Sequence, residues 1–209
     1  MPHNAYVIKQ EVITEVAVTM EGIMLKKNDT PTKLFWVDLE MTGLDASKDV
    51  ILEIAAEITD FNFKTLASYE ARIKQPRELV ATRMQLNNWW QQFPHNRDDF
   101  LKKIDDGKPL AVVQQELIEL LDEQFGTEPA ILAGNSIHSD RAFIKAYWPE
   151  LDIKMHYRML DVSSLKILMQ GKYGYVFDKD STHRAFDDIQ ASIAELQDYL
   201  TWMKDNSGS

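Results

Sequence analysis

The spacing of apolar residues changes near residue 75, and this change restricts the possible folds more than any other feature of the chain. Before it lie three apolar, strand-like runs at 34–37, 50–59 and 67–73. After it the apolar residues recur with the period of about 3.6 that is typical of α-helices, interrupted by short apolar strands at 130–133 and 157–162. Three strands followed by alternating helices and strands predict an α/β domain, with a mixed five-stranded sheet flanked by helices.

Helices are predicted wherever the helical period holds. In the stretch 110–125 the apolar residues share one face, formed by Leu110, Val113, Leu117, Leu120 and Leu121. The other predicted helices cover 77–92, 98–104, a segment capped by Ser139 and ending at Tyr147, a segment after the strand at 157–162, and a last helix from Arg184 to Met203. The buried stripe of this last helix is predicted to consist of Ile189, Ile193, Leu196 and Leu200.

The net charge of −10 excludes one class of partner. Residues 1–33 carry as many basic as acidic residues, so the surplus lies entirely in 34–209. Non-specific binding of a long nucleic acid requires Lys and Arg to neutralise many phosphates, and a body with surplus carboxylates repels the duplex. A nucleic-acid ligand of this chain must therefore be short, or be held through metal ions.

Length and composition predict one large domain that needs no disulfides, since the 209 residues contain no cysteine. No apolar run approaches the roughly 18 residues of a membrane-spanning helix, and Glu11, Glu15 and Glu21 interrupt the stretch that could otherwise resemble a signal peptide. We therefore expect a cytoplasmic protein without a membrane segment. The expected organisation is an appendage of unknown role at 1–33, one domain at 34–205 and a flexible tail at 206–209.

Two carboxylates follow the first buried strand. Asp38 and Glu40 are two residues apart, so their side chains leave the same face of the sheet, with Cα atoms roughly 6 to 7 Å apart. A polar rim at the strand end explains such a pair in many proteins. These acids, however, continue the face of an apolar strand, and hard cations are the commonest reason to place acids against a core.

The last predicted helix contributes a third acid. Projection at 100° per residue places Asp188 at the edge of the buried stripe and turns Asp187 toward solvent. Compensation of the helix dipole is the alternative for both acids. His183 lies five residues before Asp188, on the loop that precedes the helix, from which it can reach the same site. Asp140 follows Ser139 at another predicted helix start, where an acid is also compatible with simple N-terminal stabilisation.

These separate signals occur in four longer segments, at 36–45 (WVDLEMTGLD), 134–141 (GNSIHSDR), 156–163 (HYRMLDVS) and 183–189 (HRAFDDI). In this order the segments resemble the oligoribonucleases, members of the DEDDh 3′-to-5′ exonucleases with a ribonuclease H-like fold. The resemblance extends from residue 34 to about 203 and implies that 34–205 is an exonuclease domain. Residues 1–33 lie outside the usual family pattern, and 85–100 matches it loosely.

The resemblance implies a two-metal nuclease. Asp38, Glu40, Asp140 and Asp188 would hold two divalent cations, Mg²⁺ or Mn²⁺, which prefer oxygen ligands. Such a pair of ions can activate water and stabilise the departing 3′ oxygen of a phosphodiester. His183 would act as the general base, a role that suits its unperturbed pKa of about 6.5.

The resemblance also implies a very short RNA substrate, cut to 5′-mononucleotides. Leu44 would wedge against the bases and Trp89 would stack on one of them. The terminal 5′ phosphate would be surrounded by Ser136, Arg158, Ser163 and Ser164. In a homodimer, His156 and Tyr157 would come from the partner subunit.

Other interpretations of these substrate residues stay open at this point. Leu44 is compatible with a core turn residue, Trp89 and Trp90 with helix packing, and Arg158 with an exposed strand charge. Only Arg158 beside two serines indicates an anion site independently of the family, because a guanidinium group matches phosphate geometry.

Two other functions compete with this prediction. A DEDDh exonuclease that trims longer RNA or DNA needs an open, basic track, which the charge of −10 disfavours. A non-catalytic partner-binding module that retains the fold is expected to lack at least one of the four acids or the histidine, and this chain has all five.

Overall fold

The computed structural model describes residues 30–177 and 185–206. Within them, five strands form one mixed sheet in the order β3-β2-β1-β4-β5. Strand β2 runs antiparallel to both β1 and β3, whereas β4 pairs in parallel with both β1 and β5. The strands are β1 (Lys33–Met41), β2 (Ile51–Asp60), β3 (Thr65–Arg72), β4 (Ala130–Gly134) and β5 (Met155–Asp161). The predicted α/β class and the mixed five-stranded sheet are confirmed.

Most of the described residues outside the sheet are helical. They are α1 (Arg77–Leu86), α2 (Asn88–Gln92), α3 (Pro94–Lys103), α4 (Leu110–Phe125), α5 (His138–Tyr147), α6 (Pro149–Ile153), α7 (Val162–Tyr173) and α8 (Ala185–Asn206), with a 3₁₀ turn at Ile104–Asp106. No helix in these two stretches is long and apolar enough to cross a membrane.

Three details of the helix prediction were wrong. The helix expected at 77–92 is two helices, because the side chain of Asn87 accepts a hydrogen bond from the backbone N–H of Trp89 at 2.9 Å and caps a new helix. The short helix α6 was not predicted. Ser139 does not cap α5, which begins one residue earlier with Ile137 at the N-cap position.

The sheet is covered on both faces, which explains the nearly continuous apolar run of β1. Phe35, Val37 and Leu39 face a core that includes residues of α4 and α5. Leu34 and Trp36, which alternate with them, face a second core that includes residues of α7 and α8. Successive side chains of β1 therefore point alternately to the two layers of helices, the odd-numbered residues to α4 and α5 and the even-numbered ones to α7 and α8.

Helix α8 packs on the second core through Ile189, Ile193 and Leu196, as predicted. Leu200, the fourth predicted member of this stripe, is 44% exposed, so that assignment was wrong. Tyr199 takes its place and is fully buried. Both residues fit a spacing of three or four from Leu196, and only the contact with the core selects between them.

Candidate active site

Three carboxylates meet where β1 ends and α8 begins. The side chains of Asp38, Glu40 and Asp188 are half-buried, and each offers an oxygen that lies within 4.8 Å of the other two. Asp38 and Glu40 are separated from Leu34 and Trp36 by even numbers of residues, so their side chains lie on the same face of β1, which α8 covers. Such a group of oxygen donors is suited to a hard divalent cation.

The first turn of α8 separates two neighbouring acids. Ile189 is inserted into the core, which places the preceding residue, Asp188, over the end of β1. The hydroxyl of Ser192 donates to the carbonyl of Asp188 at 2.7 Å and braces this turn. Asp187 is exposed, in agreement with the helical projection.

Asp140 lies beside this group without joining it. Its side chain is 6% exposed, and its Oδ1 accepts a hydrogen bond of 3.0 Å from the backbone N–H of Leu39, the residue between Asp38 and Glu40. Burial raises the pKa of the Asp140 carboxyl to about 7. The structure thus brings three of the four predicted ligands within 4.8 Å and places the fourth against the backbone of the same strand. His183 lies outside the described residues.

An apolar cleft opens next to Glu40. It has a volume of about 280 Å³ and is lined by Leu39, Glu40, Met41, Gly43, Leu44, Asn87, Trp89 and Trp90. Leu44 is 80% exposed, which excludes the alternative of a core turn residue. Trp89 is half-buried and makes an edge-to-face contact with Trp90. Trp90 is a packing residue, fully buried with its Nε1–H donating to the carbonyl of Thr42 at 3.1 Å.

The loop that presents Leu44 is held rigidly. Asp49 accepts from the hydroxyl of Thr42 and from the backbone N–H of Asp45, both at 3.0 Å. A Cβ at Gly43 would lie 2.5 Å from a carboxylate oxygen of Asp49, so any other residue would push this carboxylate out of its hydrogen bonds. The exposure of Leu44 therefore results from a braced turn.

The serine cluster consists of Ser136, which is hydrogen-bonded to Ser163, and of Ser164 beside Ser163 at the start of α7. The sequence predicts an anion site from these serines together with Arg158. The backbone N–H of Ser136 donates to Oδ1 of Asp161 at 3.0 Å and to the Ser163 hydroxyl oxygen at 2.9 Å. Asp161 caps α7, whose first turn contains Ser163 and the exposed Ser164. Arg158 is exposed, and its guanidinium group lies 5.1 Å from the centroid of the Tyr157 ring.

His156 and Tyr157 lie on β5, at the edge of the sheet. His156 is buried, its Nδ1 accepts from the backbone N–H of Arg158 at 3.0 Å, and burial lowers its pKa. Tyr157 is 56% exposed, with its ring 4.5 Å from that of His156. The edge position leaves Tyr157 accessible to a second molecule.

The sequence reasoning missed four polar residues behind these clusters: Asn135, Ser192, Glu195 and Tyr199. Glu195 is fully buried, and it shares a helical face with Asp188, Ser192 and Tyr199 at spacings of four, three and four. A charged residue inside an apolar helical stripe was the available signal.

Comparison with known proteins agrees with this geometry. Residues 35–196 match the family model described as Exonuclease (RNase_T). The oligoribonuclease of Francisella tularensis subsp. tularensis (strain WY96-3418) is 41% identical over 169 residues, covering 79% of this chain and 93% of that protein. A probable oligoribonuclease of Caenorhabditis elegans is 40% identical over 170 residues, covering 80% of this chain and 86% of that protein. This chain belongs to the oligoribonuclease family. As a member, it is a hydrolase of the exonuclease class.

Solved structures support the fold of this oligoribonuclease-family chain. Exonuclease I of E. coli in complex with a dT13 oligonucleotide superposes with a TM-score of 0.58 at 12% identity, over 84% of this chain and 42% of that one. Exonuclease I of Methylocaldum szegediense gives a TM-score of 0.54 at 14% identity, again over 84% of this chain and 42% of that one. The chain thus spans less than half the length of these structural relatives. The shared fold is ribonuclease H-like.

Proposed function

We propose that this chain degrades very short oligoribonucleotides from the 3′ end to 5′-mononucleotides, by hydrolysis that depends on two divalent cations, Mg²⁺ or Mn²⁺. Its membership of the oligoribonuclease family makes it a 3′-to-5′ exonuclease that acts on RNA. The finer elements of the proposal are the substrate length, the metal mechanism and the residue roles. The observation that carries the metal mechanism is the group formed by Asp38, Glu40 and Asp188.

The donor set fits hard divalent cations, because it offers carboxylate oxygens and no sulfur or nitrogen. We assign Asp38, Glu40 and Asp188 as ligands, with Asp140 as the fourth. When bound, the cations would activate a water molecule and stabilise the negative charge on the departing 3′ oxygen. His183 would accept the proton of that water, as the family resemblance implies.

Three features support a short substrate. The apolar cleft with Leu44 and Trp89 adjoins Glu40, so a base held there is next to the carboxylate group. Ser136, Ser163, Ser164 and Arg158 would surround a terminal 5′ phosphate, to which Ser136 and Ser164 offer hydroxyl hydrogens and Arg158 its guanidinium group. The net charge of −10 disfavours a long polyanion.

A homodimer would complete the proposed site. Strand β5 is an edge strand whose exposed Tyr157 is followed two residues later by the exposed Met159. In this arrangement Tyr157 of one subunit would contribute to the site of the other, with the buried His156 packed against its ring.

We also propose the domain organisation expected from the sequence, with the exonuclease domain at 34–205 between the appendage and the tail, and a cytoplasmic location.

The test compares hydrolysis of a 5′-phosphorylated dinucleotide with that of an RNA of about 20 nucleotides under identical conditions. We expect the dinucleotide to be cleaved much faster, only with Mg²⁺ or Mn²⁺ present, and not by Asp188→Asn. Equal or faster cleavage of the long RNA would contradict the short-substrate proposal and favour the trimming enzyme. Cleavage that resists removal of divalent cations by EDTA would contradict the metal mechanism.

A further inference from the structure

The carboxylate of Glu195 is completely buried and receives hydrogen bonds from different parts of the fold. The hydroxyl of Tyr199, one turn further along α8, donates to its Oε1 at 2.7 Å. The side-chain amide of Asn135, which follows β4, donates to its Oε2 at 3.1 Å. Nζ of Lys166 on α7 lies 3.5 Å from Oε1. The carboxylate therefore ties β4, α7 and α8 together.

These bonds determine how the Asn135 amide is oriented. The Asn135 atom that faces Oε2 of Glu195 is Nδ2, so that a donor meets an acceptor oxygen. The other hydrogen of Nδ2 goes to the hydroxyl oxygen of Ser192 at 2.9 Å. Oδ1 of Asn135 is thereby turned toward Ser163, whose hydroxyl donates to it at 3.1 Å. Reversal of the amide would place two acceptors against each other at Glu195.

The orientation of Asn135 in turn determines which atoms Ser163 presents to Ser136. Because the Ser163 hydroxyl hydrogen points at Asn135, its lone pairs accept from the backbone N–H of Ser136 at 2.9 Å and face the Ser136 hydroxyl at 3.1 Å. Ser136 has φ of 50°, in the left-handed region that is costly for a residue with a Cβ. Ser163 is therefore one of the groups that hold Ser136 in this conformation.

The same amide reaches the helix that carries the carboxylate group. Ser192 accepts from Asn135 and donates its own hydrogen to the carbonyl of Asp188 at 2.7 Å. This last bond does not require Glu195, so loss of Glu195 leaves the brace on Asp188 in place. The serine cluster, by contrast, depends on Glu195 through the orientation of Asn135.

We infer that Glu195 is a positioning residue for recognition of the terminal 5′ phosphate, acting through Asn135 and Ser163 on Ser136. The inference rests on the proposed function, because that proposal assigns the phosphate to the serine cluster. It predicts that loss of Glu195 weakens binding of 5′-phosphorylated substrates and raises KM. It also predicts that kcat changes much less, because the contact of Ser192 with Asp188 is retained.

The experiment compares kcat/KM for a 5′-phosphorylated dinucleotide with kcat/KM for the same dinucleotide carrying a 5′-hydroxyl. Glu195→Met keeps the side-chain length but removes both acceptor oxygens. In this variant we expect kcat/KM for the phosphorylated substrate, divided by kcat/KM for the hydroxyl substrate, to fall about tenfold because KM of the phosphorylated substrate rises. A tenfold change is the effect of losing one well-made hydrogen bond. Glu195→Gln keeps one acceptor for Asn135 and can donate to the hydroxyl of Tyr199, so it should preserve the ratio within about threefold.

Tyr199→Phe is the matched control. It removes a hydrogen bond to the same buried carboxylate but leaves the contact with Asn135, so it should lower thermal stability while the ratio stays at the wild-type value. If Glu195→Met does not fold, Glu195→Met/Tyr199→Phe is compared with Tyr199→Phe, since replacing both partners by apolar groups leaves no orphaned hydroxyl. A folded variant without Glu195 that keeps the wild-type ratio would overturn the inference. If the wild type itself does not discriminate between the two substrates, the proposed phosphate site fails, whatever Glu195 does.

Discussion

Asp188→Asn is predicted to abolish hydrolysis and at the same time to stabilise the metal-free protein. Asp188 offers a carboxylate oxygen within 4.8 Å of oxygens of Asp38 and Glu40. Two unit charges at this separation repel by about 1 kcal/mol in water and about 3 kcal/mol near a protein surface. The group is half-buried and open to solvent, so we expect the neutral amide to raise the free energy of unfolding of the metal-free protein by about 1 kcal/mol. This gain corresponds to a rise in Tm of about 2 to 4 °C for a domain of this size.

Thermal unfolding with and without divalent cation measures both effects. In EDTA, Asp188→Asn should melt above the wild type. In Mg²⁺ or Mn²⁺ the order should reverse, because a cation that binds only the folded state stabilises the wild type and the variant lacks a ligand. Asp187→Asn is the matched control, since the side chain of Asp187 is exposed, and it should match the wild type in melting and hydrolysis.

Two results would refute this reasoning. Equal loss of activity in Asp187→Asn and Asp188→Asn would show that the geometry at the start of α8 does not separate the two acids. A wild-type-like shift of Tm by cation in Asp188→Asn would show that Asp188 is not a ligand.

Three further predictions concern histidines and the proposed subunit contact. His183→Ala should lower kcat by about 10² to 10⁴, as expected for a general base, with metal affinity in calorimetry largely retained; a collapse of that affinity would make His183 a ligand instead. Tyr157→Ala and Asp188→Asn subunits should each be nearly inactive as homodimers. When the two are co-refolded, activity should recover toward about a quarter of the wild-type value, since half the dimers are mixed and each mixed dimer has one intact site. Absence of recovery in a sample whose mixed dimers are verified by native mass spectrometry would refute the shared site. Because burial lowers the pKa of His156, the unfolded chain takes up a proton below about pH 6.5 that the folded chain refuses, so His156 itself lowers stability as pH drops through this range, whereas the raised pKa of Asp140 acts in the opposite direction. In urea, His156→Gln should therefore gain stability relative to the wild type as pH drops and the exposed His95→Gln should not, whereas equal slopes for the wild type and His156→Gln would refute this assignment.

Much of the architecture and the centre of the site could be predicted from local pattern. The alternation in β1 places Asp38 and Glu40 on one face, and the helical projection separates Asp188 from Asp187. These predictions succeed because the direction of a side chain relative to its own strand or helix depends only on the period of that element.

The sequence by itself did not determine which faces meet. Leu200 and Tyr199 fit the same helical spacing, and packing against the core buries Tyr199. Trp89 and Trp90 are adjacent and chemically identical, yet only Trp90 reaches the carbonyl of Thr42. The hydrogen bond from the backbone N–H of Leu39 to Asp140 joins residues 101 apart in sequence, and no local pattern predicts it.

The polar network around Glu195 depends most strongly on tertiary structure. Glu195 and Asn135 are 60 residues apart in sequence, and their contact exists only because α8 packs beside the end of β4. The sequence determined that Glu195 would lie on the same side of α8 as Asp188, since that follows from the helical period. The tertiary structure decided that a buried carboxylate there would find Asn135, because a buried charge is stable only where other elements of the fold bring donors to it.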